Sequence, residues 1–156
     1  MTLKPGDTAP DFSVSTDAGA TSLYELVEAG PVVVYFYPRD FTPGCTKQAK
    51  GFRDEYENFA RLTTQIVGVS ADSEASHCAF QEAHSLPFPL VSDTDGKLAK
   101  AYEVKSLFGV LRDRVSFVVG ADHLIKDVYR ANILVSSHVG HTLSFVQGFS
   151  VESERS

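Results

Sequence analysis

Two cysteines, Cys45 and Cys78, are the strongest candidate nucleophiles in this sequence. Two are too few for a disulfide framework, and neither belongs to a Cys-x-x-Cys pair or to a cluster with metal-ligand spacing. In a reducing compartment such cysteines are expected to be free, metal-bound or catalytic. We therefore predict thiol chemistry without a metal or another cofactor.

The residues before Cys45 favour a reactive thiolate. They follow an apolar run and open a helical pattern, which is where α/β proteins commonly hold ligands. Thr42 suits the N-cap and Pro43 the first helical position, so Cys45 falls in the first turn. Unpaired backbone N–H groups and the helix dipole there stabilise a negative sulfur. A buried structural cysteine is the alternative that these residues alone leave open.

Two apolar runs flank the helical pattern that contains Cys45. Residues 32–37 and 65–69 are rich in β-branched and aromatic side chains without polar alternation, as in strands buried on both faces of a sheet. Between them, apolar residues spaced three and four apart predict one helix over residues 43–62. The order strand, helix, strand predicts a βαβ unit.

The rest of the chain continues the α/β pattern. It predicts a helix over residues 73–84, a strand over 88–91, a helix over 97–102, a hairpin of strands 115–119 and 124–130, and a last helix over 137–149. Residues 151–156 are expected to be a frayed tail. We predict one three-layer α/β domain over residues 1–156 with a central mixed β-sheet flanked by helices.

Composition excludes several function classes. The 156 residues are 43% hydrophobic and 22% charged, and the net charge of −6 disfavours a nucleic-acid partner. No apolar run approaches the roughly 20 residues of a membrane span, so no membrane role is expected. Without an apolar leader, a cytoplasmic location is the default expectation.

A longer pattern around Cys45 points to a family. Pro38, Thr42 and Cys45 spell Pro-x-x-x-Thr-x-x-Cys, which resembles the active-site signature of the peroxiredoxins, and Phe41-Thr-Pro-Gly-Cys-Thr46 resembles their bacterioferritin-comigratory or peroxiredoxin Q branch. Four further segments also resemble the family, in the same order along the chain: residues 5–12, 69–72, 86–93 and 114–117. The resemblance therefore extends from position 5 to about 120. The resemblance implies a thioredoxin-like fold.

The resemblance also implies a peroxidase acting on hydrogen peroxide and small alkyl hydroperoxides. The Cys45 thiolate would attack one peroxide oxygen and expel the other as hydroxide or alkoxide. By similarity, Thr42 would hydrogen-bond sulfur and peroxide, Arg114 would hold the thiolate and polarise the O–O bond, and Pro38 would shield the site from water. Arg114 is preferred to Arg112 because it directly precedes Val-Ser-Phe, as the family arginine does.

Cys78 is the internal candidate for the resolving thiol. Members of the branch often carry that cysteine five residues after the first, where this chain has Lys50. On the predicted helix 73–84, Cys78 is expected to point away from an apolar face formed by Ala79, Phe80 and Ala83. A sulfenic acid on Cys45 would then condense with Cys78 to a disulfide, recycled by thioredoxin or a similar dithiol reductant.

Alternatives remain at this point. A one-cysteine enzyme with an external thiol and a non-enzymatic redox-sensing module would both use the same scaffold. A disulfide reductase needs Cys-x-x-Cys, and Thr42 occupies the first of those positions. The branch contains monomers and dimers, so a monomer or weak homodimer is expected. The histidines are given no chemistry: His77 and His84 are interpreted as polar-face residues, and His138 and His141 as too few for a metal site.

Overall fold

Short helices and strands alternate along most of the chain. The computed structural model describes residues 2–107, 111–131 and 137–155. In chain order the elements are β1 (Ser13–Thr16), β2 (Gly19–Ser22), α1 (Leu23–Leu26), β3 (Val32–Phe36), α2 (Pro43–Asp54), α3 (Tyr56–Arg61), β4 (Gln65–Ser70), α4 (Glu74–His84), β5 (Leu90–Ser92), α5 (Lys97–Ala101), β6 (Ser106–Leu107), β7 (Leu111–Arg112), β8 (Val115–Val119), β9 (Ile125–Arg130) and α6 (Ser137–Arg155). None of the helices in these ranges is long and apolar enough to cross a membrane.

A five-stranded mixed sheet forms the centre of the fold. Its strand order is β5-β4-β3-β8-β9. β3 and β4 are parallel, as are β4 and β5, whereas β8 runs antiparallel to both β3 and β9. Every residue of β3 is buried, as is every residue of β4 after Gln65, which explains why both read as apolar runs without alternation. The predicted α/β class with a central mixed sheet is confirmed.

The two faces of the sheet carry separate cores because successive strand residues point to opposite sides. Val32, Val34 and Phe36 of β3 pack into the cluster that also contains Tyr102 and Phe117. The intervening residues of β3 pack against α2, α4 and α6 in a second cluster that includes Val33, Tyr35, Tyr37, Cys45, Ala49, Phe52, Phe80 and Val146. The candidate nucleophile therefore lies in the layer between this face and the helices.

A close approach between neighbouring strands shapes this second core. Tyr35 pairs in register with Gly68 of β4. A Cβ on Gly68 would lie 2.9 Å from the Tyr35 Cζ atom and 2.7 Å from Leu90 Cδ2. Only glycine leaves room for the Tyr35 ring, which stacks on Phe52 with ring centroids 4.7 Å apart.

The structure departs from the sequence prediction at three elements. The predicted helix over residues 43–62 is divided into α2 and α3 at Glu55, although the buried stripe continues from Phe52 to Phe59. The strand predicted over residues 88–91 is Leu90–Ser92, because Pro87 and Pro89 have no N–H to donate to a ladder. The last helix does not stop near residue 149 but extends to Arg155, through most of the segment expected to be frayed.

Candidate active site

Cys45 occupies the first turn of α2. Thr42 has extended backbone angles at the N-cap and Pro43 begins the helix, so Cys45 is the third helical residue. Its side chain is 1% exposed. N–H groups in a first helical turn lack intrahelical partners, and the positive end of the helix dipole lies beside them. The backbone therefore favours negative charge at the Cys45 sulfur.

A buried arginine completes this environment. Arg114 directly precedes β8, and the antiparallel pairing of Val115 with Phe36 brings it to the end of β3 where the α2 loop begins. Arg114 Nη1 donates to Cys45 Sγ at 3.4 Å and to Gln48 Oε1 at 2.6 Å. A guanidinium that is only 6% exposed needs anionic or strongly polar partners. A Cys45 thiolate is such a partner.

Gln48 is a site residue to which sequence reasoning assigned no role. It is fully buried one helical turn after Cys45, and its carbonyl oxygen accepts the Arg114 hydrogen bond. Its Nε2 atom has no hydrogen-bond partner among the described residues. The spacing of three between the two residues was the available signal, since it places them on one helix face. The Gln48 side chain therefore helps to hold Arg114, the residue that contacts the sulfur.

The loop before α2 holds the other two predicted site residues. Thr42 stands at the N-cap, but its hydroxyl donates to the carbonyl of Arg39 at 2.9 Å and caps no helical N–H. The expected side-chain cap is therefore wrong, because the hydroxyl turns back into the loop. Pro38 is half-buried two residues after the end of β3. Phe41 has φ 64 and is 52% exposed, so the loop places backbone strain beside the site.

Cys78 lies apart from this arrangement. It is exposed on α4 whereas Cys45 is buried, and both are free thiols. The predicted outward orientation of Cys78 is confirmed. The prediction for the inward face of α4 is correct only at Phe80. Ala79 and Ala83 were assigned to this face but are exposed, and His77 is buried there instead.

His77 is not a polar-face residue as the sequence predicted. It is 3% exposed, and its Nδ1 atom lies 2.7 Å from Oδ2 of the buried Asp40. Tyr37 donates to Asp40 Oδ1 at 2.6 Å, and Ser76 donates to Oδ2 at 2.9 Å. Burial, the neighbouring Tyr35 and the Asp40 carboxylate raise the pKa of Tyr37 well above its ordinary value, so its hydroxyl remains a donor. A polar network therefore joins the Cys45 loop to the helix that carries Cys78.

The same network contains the histidine and carboxylates that a metal would require. One ligand atom each of Asp40, Asp72 and His77 lie within 4.8 Å of one another. These atoms already serve the protein: Asp72 Oδ2 accepts from the Asp40 N–H and from Ser70. Because the polar atoms are satisfied internally, the arrangement fits a hydrogen-bond network better than a metal site.

A second buried histidine supports the strand that follows Arg114. Ser116 donates to His138 Nδ1 and His138 Nε2 donates to the carbonyl of Ala131, both at 2.8 Å. His138 and His141, predicted to share a face, have different surroundings, since His141 is exposed and contacts Asp127. Burial lowers the pKa of His138 from 6.5 to about 4, the Ala131 hydrogen bond opposes this shift, and the positive charge of Arg114 adds to it.

Acid should therefore destabilise the fold through His138. Below pH 6.5 the unfolded chain binds a proton at this imidazole that the folded chain does not bind until pH about 4. The free energy of unfolding should fall as the pH is lowered through this window, by up to about 1.4 kcal/mol per pH unit from this group. Urea unfolding of the wild type and His138→Gln across the window measures the difference. Identical slopes for the two proteins would contradict the assignment.

Comparison with known proteins agrees with this geometry. The AhpC/TSA family model matches residues 5–128. The chloroplastic peroxiredoxin Q of Sedum lineare is 41% identical over 91% of this chain and 77% of its own length. The structure of the peroxidoxin BcpB of Mycobacterium tuberculosis has a TM-score of 0.86 at 34% identity, covering 94% of this chain and 97% of its own.

A second solved relative comes from the same branch. The bacterioferritin comigratory protein of Xanthomonas campestris has a TM-score of 0.80 at 30% identity, covering 96% of this chain and 98% of its own. The resemblance that the motifs indicated is thereby confirmed over nearly the whole chain. The chain belongs to the AhpC/TSA family and, within it, to the bacterioferritin-comigratory and peroxiredoxin Q branch of thiol-dependent, thioredoxin-recycled peroxidases.

Proposed function

We propose that Cys45 is the residue that reacts with the hydroperoxide and that Arg114 stabilises charge during the reaction. The observation that carries this proposal is the 3.4 Å contact between Cys45 Sγ and Arg114 Nη1 in a buried site. The thiolate forms a bond to one peroxide oxygen, the O–O bond breaks, and the other oxygen leaves as hydroxide or alkoxide, which then takes a proton. The guanidinium stabilises the thiolate before attack and the negative leaving oxygen during it.

The loop residues have supporting roles in the same proposal. The Thr42 hydroxyl donates to Arg39 O at 2.9 Å and still has lone pairs with which to accept a hydrogen bond from a bound peroxide. Pro38, half-buried at the end of β3, limits water access to the sulfur. The Gln48 Nε2 group supplies a further donor beside Arg114.

Hydrogen peroxide and small alkyl hydroperoxides are the proposed substrates. With 1% of Cys45 exposed, only a small peroxide group reaches the sulfur without rearrangement of the loop. The related protein of Xanthomonas campestris is described for its alkyl peroxide reduction activity. The reaction leaves Cys45 as a sulfenic acid, which a thiol must remove before the next cycle.

Cys78 is the proposed resolving thiol. Its sulfur attacks the Cys45 sulfenic acid, the disulfide forms and water leaves, and thioredoxin or a similar dithiol then reduces the disulfide. The exposure of Cys78 suits contact with such a reductant, whereas in the one-cysteine alternative an external thiol must wait for the loop around the buried Cys45 to open. We take the protein to act as a monomer or weak homodimer in the cytoplasm, where a reducing poise keeps both thiols free.

Intact mass after one equivalent of hydrogen peroxide tests the cycle. The wild type should lose two hydrogens, which reports the disulfide, and the Cys78→Ser variant should instead gain one oxygen at Cys45. An oxygen gain in both proteins would remove Cys78 from the cycle and favour the one-cysteine alternative. An unreactive Cys45 in both would overturn the proposed role of Cys45.

A further inference from the structure

The hydrogen-bonded pair of Asp40 and His77 joins the two segments that carry the cysteines. Asp40 belongs to the loop between β3 and α2, and His77 directly precedes Cys78 on α4. Their side chains are 1% and 3% exposed and lie 2.7 Å apart. The aromatic ring of Phe41 adds an outer contact to the same helix, with its centroid 5.1 Å from that of Phe80.

Several hydrogen bonds hold both members of this pair in place. His77 Nε2 donates to the Val91 carbonyl at 3.1 Å, so this nitrogen carries a hydrogen. The other ring nitrogen faces Asp40 Oδ2, whose carboxylate also accepts from the hydroxyls of Tyr37 and Ser76. A hydrogen bond therefore joins His77 Nδ1 to Asp40 Oδ2 in a buried site, where separating the two leaves buried polar groups without a partner.

The position of Cys78 on α4 is incompatible with this contact once a disulfide forms. Successive helical residues are about 100° apart around the axis. Ser76, His77 and Phe80 all face the Asp40–Phe41 loop, so Cys78 points about 150° away from it. To bring Cys78 to Cys45, the first turns of α4 or the loop before Cys45 must move, and either movement separates His77 from Asp40.

We propose that the Asp40–His77 pair is a latch that must open before Cys78 can resolve the Cys45 sulfenic acid, so that it controls the rate of the second step and not of the first. This inference rests on the proposed resolving role of Cys78. His77 is a positioning residue here: it touches neither substrate nor sulfur. Weakening the latch should accelerate disulfide formation and leave the attack of Cys45 on peroxide unchanged.

The latch also determines how a second hydroperoxide competes with Cys78. That peroxide can oxidise the sulfenic acid to a sulfinic acid, with water or an alcohol as the other product. A slower resolving step gives this reaction more time. Latch variants should therefore accumulate less sulfinic Cys45 at high peroxide than the wild type does.

Rapid mixing with quenching and intact mass separates the two steps. The variants are His77→Gln, Asp40→Asn and the double variant. The double variant replaces both ionisable groups by neutral amides and serves if a single variant fails to fold. Disulfide formation should accelerate about tenfold or more, with sulfenic acid formation within about twofold of wild type. Amide exchange in the first turn of α4 should also be faster.

A matched pair elsewhere provides the control. His141 Nε2 lies 2.8 Å from Asp127 Oδ2, between α6 and β9, so His141→Gln should change neither step. If the Cys45–Cys78 disulfide forms in the wild type but forms no faster in the latch variants, the latch is wrong and the resolving role of Cys78 stands. If the wild type forms no Cys45–Cys78 disulfide, the proposed resolving step fails and the latch fails with it.

Discussion

Replacing Cys45 by serine should reduce hydroperoxide consumption to the rate of the protein-free reaction. Serine has nearly the same shape, so the variant should fold and keep its hydroxyl beside Arg114. A serine hydroxyl is not ionised by a neighbouring guanidinium at neutral pH, and it forms no product equivalent to a sulfenic acid. Consumption of hydrogen peroxide with thioredoxin and its reductase present measures the effect.

The matched control for this variant is Cys78→Ser. It leaves Cys45, Arg114 and Gln48 in place, so the first equivalent of peroxide should be consumed at the wild-type rate even where turnover slows. Sustained turnover by a folded Cys45→Ser protein would show that Cys45 is not the residue that reacts with peroxide, and Cys78 would become the candidate.

Replacing Arg114 by methionine should lower the second-order rate constant with hydrogen peroxide by about 10²–10³, the usual cost of removing one preorganised donor from a site of developing negative charge. The variant removes both the 3.4 Å contact to Cys45 Sγ and the 2.6 Å contact to Gln48 Oε1. The buried Gln48 oxygen then lacks this partner, which should cost about 1–3 kcal/mol of stability. Stopped-flow kinetics and urea unfolding measure the two effects separately.

Two further arginine variants define what Arg114 supplies. Arg114→Lys keeps the charge but not the planar fork of donors, so its rate should lie between those of the wild type and Arg114→Met. Arg39 is exposed in the loop before Cys45, and Arg39→Met should react within about twofold of wild type. A folded Arg114→Met protein that reacts at the wild-type rate would contradict the assigned role.

Features that depend on nearby residues are well predicted from the sequence. The unbroken apolar runs predict β3 and β4 because both strands are buried on both faces along nearly their whole length. Thr42 and Pro43 predict where α2 begins, and hence that Cys45 lies in its first turn. Each of these signals lies within a few residues of the feature that it predicts.

Contacts between distant segments required more than local pattern. Arg114 and Cys45 are 69 positions apart, and only the family resemblance distinguished Arg114 from Arg112. The structure explains their contact by the antiparallel pairing of Val115 with Phe36. Because that pairing depends on sheet order, no pattern around Arg114 alone indicates it.

The sequence pattern failed to predict the buried polar network of Asp40 and His77. Counting apolar residues around α4 assigned Ala79 and Ala83 to its inner face, but small alanines are tolerated in either environment and both are exposed. His77 occupies the inner face instead because Asp40, 37 positions earlier, supplies a buried partner. A polar core contact of this kind leaves no hydrophobic periodicity to detect.

The central claim is that the fold activates the Cys45 thiol, and one kinetic comparison tests it. In Cys78→Ser the remaining thiol is Cys45, so its oxidation by hydrogen peroxide can be followed in the folded protein and in the same protein unfolded in urea. Peptide mapping locates the added oxygen and separates Cys45 from Met1, the single methionine. We predict that Cys45 gains the oxygen about 10³-fold or more faster in the folded state. Equal rates in the two states, or an oxygen found elsewhere in the folded protein, would contradict the account.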